Sequence, residues 1–268
     1  MGFRRPDGQV MDWVKRCDAN SGRASSRACA GLDRVMQLAR GNAFVDKLDY
    51  VLPLVGKDLT AARVPLRNEI GDDIAANTSF VSGDYDEADG LDGGSGKYLT
   101  PGIVPNSDMS RDDSHGAAYT DKSSGAPTVI YGVQNFNSRV MYLYPRWSDG
   151  NTYTDHFTRT NTYGRTQHSD SMSGGFYLAV RDGISSHDLY KGSGVTSFAV
   201  AASANNGSPG SLPTSEMVVM AGREAGTVAN HFLDKGQWFS FGKSFTSTQA
   251  TWYYRAVQWF QEFLGRES

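Results

Sequence analysis

From about residue 60 onward the chain is a succession of short apolar runs separated by Gly, Asn, Asp and Ser, with no helical spacing between them until the C-terminus. The runs centre on Phe80, Leu99, Ala118, Ile130, Leu143, Leu178, Val200, Val219 and Phe239. Strands with no helix to carry a crossover cannot build a parallel βαβ sheet, so they pair as antiparallel neighbours. Two such sheets stacked face to face, a mainly β antiparallel sandwich, bury them most simply. The 30 glycines and 13 tyrosines fit that reading, because tight turns need the first and pleated, half-buried surfaces favour the second. In VMYLYPRW, alternation sends Val140, Tyr142, Tyr144 and Arg146 to one face and Met141, Leu143, Pro145 and Trp147 to the other.

The two ends read differently. Val10, Trp13, Val14 and Cys17 follow helical spacing after a turn-like PDG, and a second stripe runs through Ala28, Leu32, Val35, Met36 and Ala39 until Gly41-Asn42 stops it. Residues 1–50 are therefore expected to be a helical segment with two short helices, and residues 51–268 the sandwich. KLDYVLPLVG between them reads as a buried strand that Pro53 places at an edge or on a bulge. At the C-terminus, Trp252, Ala256, Trp259, Phe260, Phe263 and Leu264 mark one face of a helix spanning 247–264. Thr246, Ser247 or Thr248 can cap its start, and Gly265 can take the left-handed conformation that ends it. So many rings predict a lid over the sandwich, with Trp259 filling a core site.

Bulk properties exclude several functions. Lys+Arg 26 against Asp+Glu 29 gives a net charge of −3, too balanced for a protein that grips nucleic acid by neutralising phosphates. No apolar run approaches the ~20 residues of a spanning helix, and MGFRRPDGQVMDW lacks the apolar core of a secretion signal, so neither membrane insertion nor export is expected. Cys17 and Cys29 are the two cysteines and read as reduced, packed thiols.

The residues that carry chemistry form no convincing catalytic set. GDYDEADGLD brings together Asp84, Asp86, Glu87, Asp89 and Asp92, but turn glycines surround them, and the alternate spacing that would aim two carboxylates into one groove is missing. Calcium is the better use for such a loop, although it lacks EF-hand spacing. His115, His156, His168, His187 and His231 are scattered with no HExxH pairing, no GxSxG elbow is present, and GLDGGSGK lacks the spacing of a phosphate loop. No catalytic residue, metal ligand or cofactor is assigned. A binding surface is the stronger expectation: YLYPRWSDGNTYTDHFTRTNTYGRTQH concentrates Tyr, Trp and Arg, which anchor interfaces and stack on sugar faces. Its candidate ligand-binding residues are Tyr144, Arg146, Trp147, Tyr153 and His156, with Tyr142, Arg159, Tyr163 and Arg165 in the same span.

Four stretches carry a family resemblance. They are FVDKLDYVLPLVG after the second helix, FVSGDYDEADGLDGGSGKYLTPGI, GGFYLAVRDGISSHDLYKGSGV, and the terminal SFGKSFTSTQATWYYRAVQWFQEFLGR. In this order the chain resembles the concanavalin A-like lectin/glucanase jelly rolls, also called laminin-G-like domains, of bacteriophage and prophage structural proteins. The resemblance implies a virion component of tail, fibre or head, with other virion proteins, a host-surface glycan and further copies of itself as partners. It also implies two rival readings, a polysaccharide lyase or glycosidase on the same fold and a particle protein without a ligand.

Overall fold

The apolar runs pair into two sheets in the computed structural model, which describes residues 6–121, 128–135, 140–157, 165–169, 174–193, 197–204 and 212–266. The first sheet runs in the order β14 (Ser197–Ala204), β13 (His187–Ser193), β12 (Gly175–Arg181), β7 (Ser114–Thr120), β18 (Lys235–Gly242), β1 (Leu48–Leu52) and β2 (Arg67–Asn68). The short β5 (Gly90–Asp92) adds to β18, and β4 (Tyr85–Asp86) adds to β5. The second sheet runs β11 (Thr166–His168), β10 (Thr152–His156), β9 (Val140–Tyr144), β8 (Tyr131–Gln134), β15 (Val218–Val219), β6 (Tyr98–Thr100) and β3 (Ala76–Thr78). Every pairing along both paths is antiparallel; β16 (Gly222–Glu224) joins β8 in parallel and forms a hairpin with β17 (Thr227–Ala229). The protein is thus a mainly β, antiparallel sandwich.

Among the described residues five α-helices accompany the sheets: α1 (Gly8–Ala19), α2 (Ser26–Gly41), the single turns α3 (Leu59–Ala62) and α4 (Pro105–Asp108), and α5 (Ser247–Leu264). Alternation along the central strands divides their side chains between two apolar layers. Ala118, Tyr177, Leu189, Phe239 and Phe241 face inward against Tyr131, Val133, Met141 and Leu143 of the second sheet. Ala117, Tyr119, Phe176, Leu178 and Trp238 face outward, where they meet Trp13 of α1, Leu32 and Val35 of α2, and Tyr253, Val257 and Phe260 of α5. The first sheet is therefore covered on both faces, which is why β7 and β12 are buried at every residue. β1 starts at Leu48, inside the segment 1–50 expected to be helical.

The helix ends are built as the sequence predicts. Thr246 caps α5 by accepting from Gln249 N, Gln249 Oε1 returns a bond from Thr246 N at 3.0 Å, and Gly265 closes the helix at φ +77°. Arg27 of α2 donates twice to the Phe263 carbonyl oxygen, satisfying a group the helix end leaves without an internal partner. Gly31 lets α2 and α5 touch, since a Cβ there would lie 2.5 Å from Phe260 Cε2.

Three expectations need correction. The aromatic stripe of α5 is rotated: Ala250, Tyr253, Tyr254, Val257, Phe260 and Leu264 are buried, whereas Trp252, Trp259 and Phe263 each keep 36% of their surface in solvent. Tyr rings with buried hydroxyl partners displaced the indoles: Tyr253 accepts from Trp238 Nε1 at 2.8 Å, and Tyr119 donates to Gln258 at 2.9 Å. The run at Phe80 is not a strand; Asn77 clamps it in a turn through bonds to Phe80 N and O, with Ser79 at φ +65°. Pro53 lies past the last residue of β1, so its missing N–H interrupts no ladder.

Candidate functional site

The helices occupy the outer face of the first sheet, while the second sheet turns a tyrosine-rich face outward. The β9–β10 hairpin pairs Tyr144 with Tyr153, Leu143 with Thr154, Tyr142 with Asp155 and Met141 with His156. Met141 and Leu143 enter the core between the sheets, and Val140, Tyr142 and Tyr144 join Val129 and Tyr153 in a separate outer cluster. Tyr142 lies flat across β8 because Gly132 has no side chain; a Cβ there would fall 1.6 Å from Tyr142 Cδ1. Its hydroxyl donates to the Arg223 carbonyl oxygen at 2.8 Å, which ties the sheet to the β16–β17 hairpin.

An ion pair is set into this cluster. Arg165 donates from Nε and Nη2 to the two oxygens of Asp155, at 2.9 and 2.5 Å, and Asp155 has no exposed side-chain surface. The guanidinium lies 5.0 Å from the Tyr153 ring centroid and 5.9 Å from that of Tyr144, within cation–π range. Burial alone would lower the Arg165 pKa, but the bonds and charge of Asp155 outweigh it and raise it. Burial pushes the Tyr144 phenol well above its ordinary value.

The hairpin tip presents the exposed part of the site. Trp147 N donates to Asn151 O at 2.8 Å, Gly150 N donates to Trp147 O at 2.9 Å, and Gly150 takes φ +85°, a conformation that side chains disfavour. Trp147 is held edge-on to Tyr144, with centroids 4.9 Å apart and planes at 79°, and is 36% exposed. Asp149 accepts from Tyr153 Oη at 2.6 Å and from Asn151 N at 3.0 Å, and these bonds, the Tyr153 one first, lower its pKa. Ser148 and Asp149 are exposed beside the indole. A flat ring flanked by a carboxylate that stays ionised can stack on a pyranose face and accept its hydroxyls.

The candidate residues therefore separate. Tyr144, Trp147 and Tyr153 come together, although the two tyrosines keep only 8% exposure and act as the bed beneath Trp147 and Arg165. Arg146 is half-buried where its backbone bridges to Thr128 at the hairpin's flank. His156 belongs elsewhere: it points into the sandwich, fully buried, with Nε2 3.0 Å from Ser114 Oγ and its ring 5.6 Å from that of His187. Burial pulls its pKa well down, so it is neutral. Strand alternation puts it on the face opposite Tyr153. Arg159 and Tyr163 lie outside the described residues. Asp155 was the omission, while Arg165 stands in the candidate span without a partner assigned to it; only the register that sets Thr154 against Thr166 brings the two together.

The acidic loop does not converge on a cation. Asp84 pairs with Lys97 at 2.6 Å, Asp89 pairs with Lys235 at 2.8 Å, and Asp86 accepts from Ala88 N. Glu87 accepts from Ser25 Oγ and Gly56 N. Among the described residues no group of three His, Cys, Asp or Glu side chains is placed to hold a metal ion. No helix among them is long and apolar enough to cross a membrane.

No protein-family model matches the chain, and no curated protein sequence matches it. Solved structures give distant likenesses. The CBM40 of the Ruminococcus gnavus IT-sialidase, bound to alpha2,3 sialyllactose, is 10% identical over 60% of this chain and 94% of its own, with a TM-score of 0.35. Trypanosoma rangeli sialidase is 10% identical in two complexes, with TM-scores of 0.33 and 0.31 over 90% and 89% of this chain. The likeness spans 40% of the sialidase chain in both complexes. These similarities assign neither family nor ligand; the sandwich itself rests on the strand pairing above.

Proposed function

We propose that this protein is a glycan-binding β-sandwich that holds its ligand without cleaving it, and that it serves as a virion component. The observation that carries the binding reading is Trp147, presented at a hairpin tip, braced by Tyr144 and bordered by the ionised Asp149. An indole offers an apolar face together with a polar N–H, a combination suited to a sugar ring, and a rigid hairpin places it better than a free loop does. The particle role is supported by the resemblance of the four sequence stretches to phage jelly rolls.

A glycan array spanning neutral and acidic glycans, probed with the wild-type protein and with Trp147→Ala, tests the binding reading. Wild type is expected to retain at least one glycan class that the variant loses. Equal binding by both proteins, or none by either, refutes it. Reducing-sugar and unsaturated-uronate assays on any bound polysaccharide should show no turnover, and sustained turnover would establish the enzyme reading instead. Mass spectrometry of purified particles tests the virion role, which fails if the protein is absent from them.

A further inference from the structure

The outward rotation of the α5 indoles leaves an aromatic row on the helical layer, on the side of the first sheet away from the Trp147 hairpin. Trp259 and Phe263 stack face to face, with centroids 5.1 Å apart and planes at 17°, as a rigid aromatic platform rather than two coplanar rings, and Arg27 lies over the Phe263 ring at 5.8 Å. Trp252 lies seven residues earlier on the same helix, two turns or about 10.5 Å along the axis. Beside the platform is a groove of about 340 Å3 lined by Tyr254, Arg255, Gln258, Trp259 and Glu262. Its polar groups are positioned from beneath: the buried Tyr119 hydroxyl donates to Gln258 Oε1, and Gln258 Nε2 donates to Glu262 Oε1, each at 2.9 Å. Arg255 lies over the Trp252 ring at 5.1 Å and makes no ion pair among the described residues.

Size and charge limit what can occupy this row. At 36% exposure, rings of about 150–250 Å2 offer roughly 50–90 Å2 each, far less than the ~800 Å2 per partner of a stable protein interface. The row therefore suits a small or thread-like ligand better than a protein partner. One arginine and one glutamate on the rim leave no net positive charge, and Glu262 would repel a phosphate, which disfavours nucleotides and nucleic acid. A chain of equatorially linked sugars matches instead. Its rings present flat C–H faces to Trp259 and Trp252, and its edge hydroxyls can accept from Arg255 and donate to Glu262. We propose that the outer face of α5 is a second saccharide site, for a neutral β-linked oligosaccharide, with Trp259 as its central contact. This site is independent of the hairpin site.

The test is isothermal titration with cellohexaose, xylohexaose and chitohexaose against wild type, Trp259→Ala, Glu262→Gln and Trp147→Ala. At least one hexaose is expected to bind wild type, with affinity falling about tenfold or more for Trp259→Ala and severalfold for Glu262→Gln. Trp147→Ala should bind that hexaose as wild type does, which separates this site from the hairpin. A native circular dichroism spectrum for Trp259→Ala at the titration temperature would show that the loss is local. The proposal is overturned if no hexaose binds, if binding survives Trp259→Ala, or if Trp147→Ala alone abolishes it. A dimer that Trp259→Ala dissociates would also overturn it, by making the row a self-association surface.

Discussion

Arg266 Nη2 donates to the carbonyl oxygen of Leu54 at 2.7 Å, joining two residues 212 positions apart. The same guanidinium donates to Glu87 O and Gln237 O and reaches Gln261 Oε1, and only 2% of the residue is exposed. Burial pulls its pKa down to about 10, so it stays charged at neutral pH. One side chain thus fastens the end of α5 to β18, to the acidic loop and to the segment after β1.

Arg266→Ala should leave those buried carbonyl groups without a donor and lower stability by on the order of 3 kcal/mol. Arg266→Lys should recover little, because an ammonium cannot span the fork of acceptors. Urea unfolding of the three proteins checks both, and a variant within about 0.5 kcal/mol of wild type would remove the tie from the account.

The rotation of α5 predicts opposite outcomes for neighbouring rings. Phe260 is fully buried against Trp238, with centroids 5.6 Å apart, and Phe260→Ala should cost about 3–5 kcal/mol. Trp259→Ala should cost distinctly less, about 1–2 kcal/mol, because a third of the residue already faces solvent. Thermal melts with the reverse ranking would mean that the helix sits in the register expected from its sequence stripe.

Acid should unfold the protein through its buried histidines. His115 is fully buried, with Nδ1 2.7 Å from Lys243 O and Nε2 3.1 Å from Ser240 Oγ, and a neutral ring completes the chain in which Trp238 Nε1 donates to Tyr253 and the Tyr253 and Ser240 hydroxyls can pass donors on to Nε2. Burial lowers its pKa to about 3, from 6.5 in the unfolded chain. Between those values the unfolded state holds the extra proton, so stability falls with falling pH, by roughly 2–3 kcal/mol at about pH 4.5. Denaturant titrations at pH 7 and at this acid pH measure the loss, and His115→Gln should flatten the slope.

Asp155→Ala strands the Arg165 charge against Tyr144 and Tyr153, and we expect a loss of about 2–3 kcal/mol, below the full cost of breaking a buried pair because Arg165 is 25% exposed. The double variant Asp155→Leu/Arg165→Met should recover much of that loss. Unfolding midpoints for the single and double variants decide it.

Burial pushes the Cys17 thiol up to about 12, so it should not react with a disulfide reagent at pH 8 until the protein unfolds. The half-buried Cys29 should react first. Mass spectrometry of the labelled native protein identifies which thiol is modified.

Sequence alone determined what depends on local pattern. The two N-terminal helices, the α5 caps, the antiparallel pairing and the two faces of residues 140–144 follow from periodicity and turn chemistry, whereas Trp147, which alternation assigns to the face opposite Tyr144, packs against Tyr144 because β9 ends at Tyr144 and the chain turns there. Strands TYTDH and HDLYKGS were not legible, because polar side chains satisfied by neighbouring strands leave no apolar alternation. Tertiary structure decided the rest: which face of α5 is buried, that His156 turns inward, and that Arg165 meets Asp155 across a hairpin. The first two depend on partners far away in sequence, Tyr119 for Gln258 and Ser114 for His156, and the third on the register between β10 and β11. A helix stripe is wide enough to be buried at more than one rotation, and the rotation chosen is the one that satisfies the buried hydroxyls and amides.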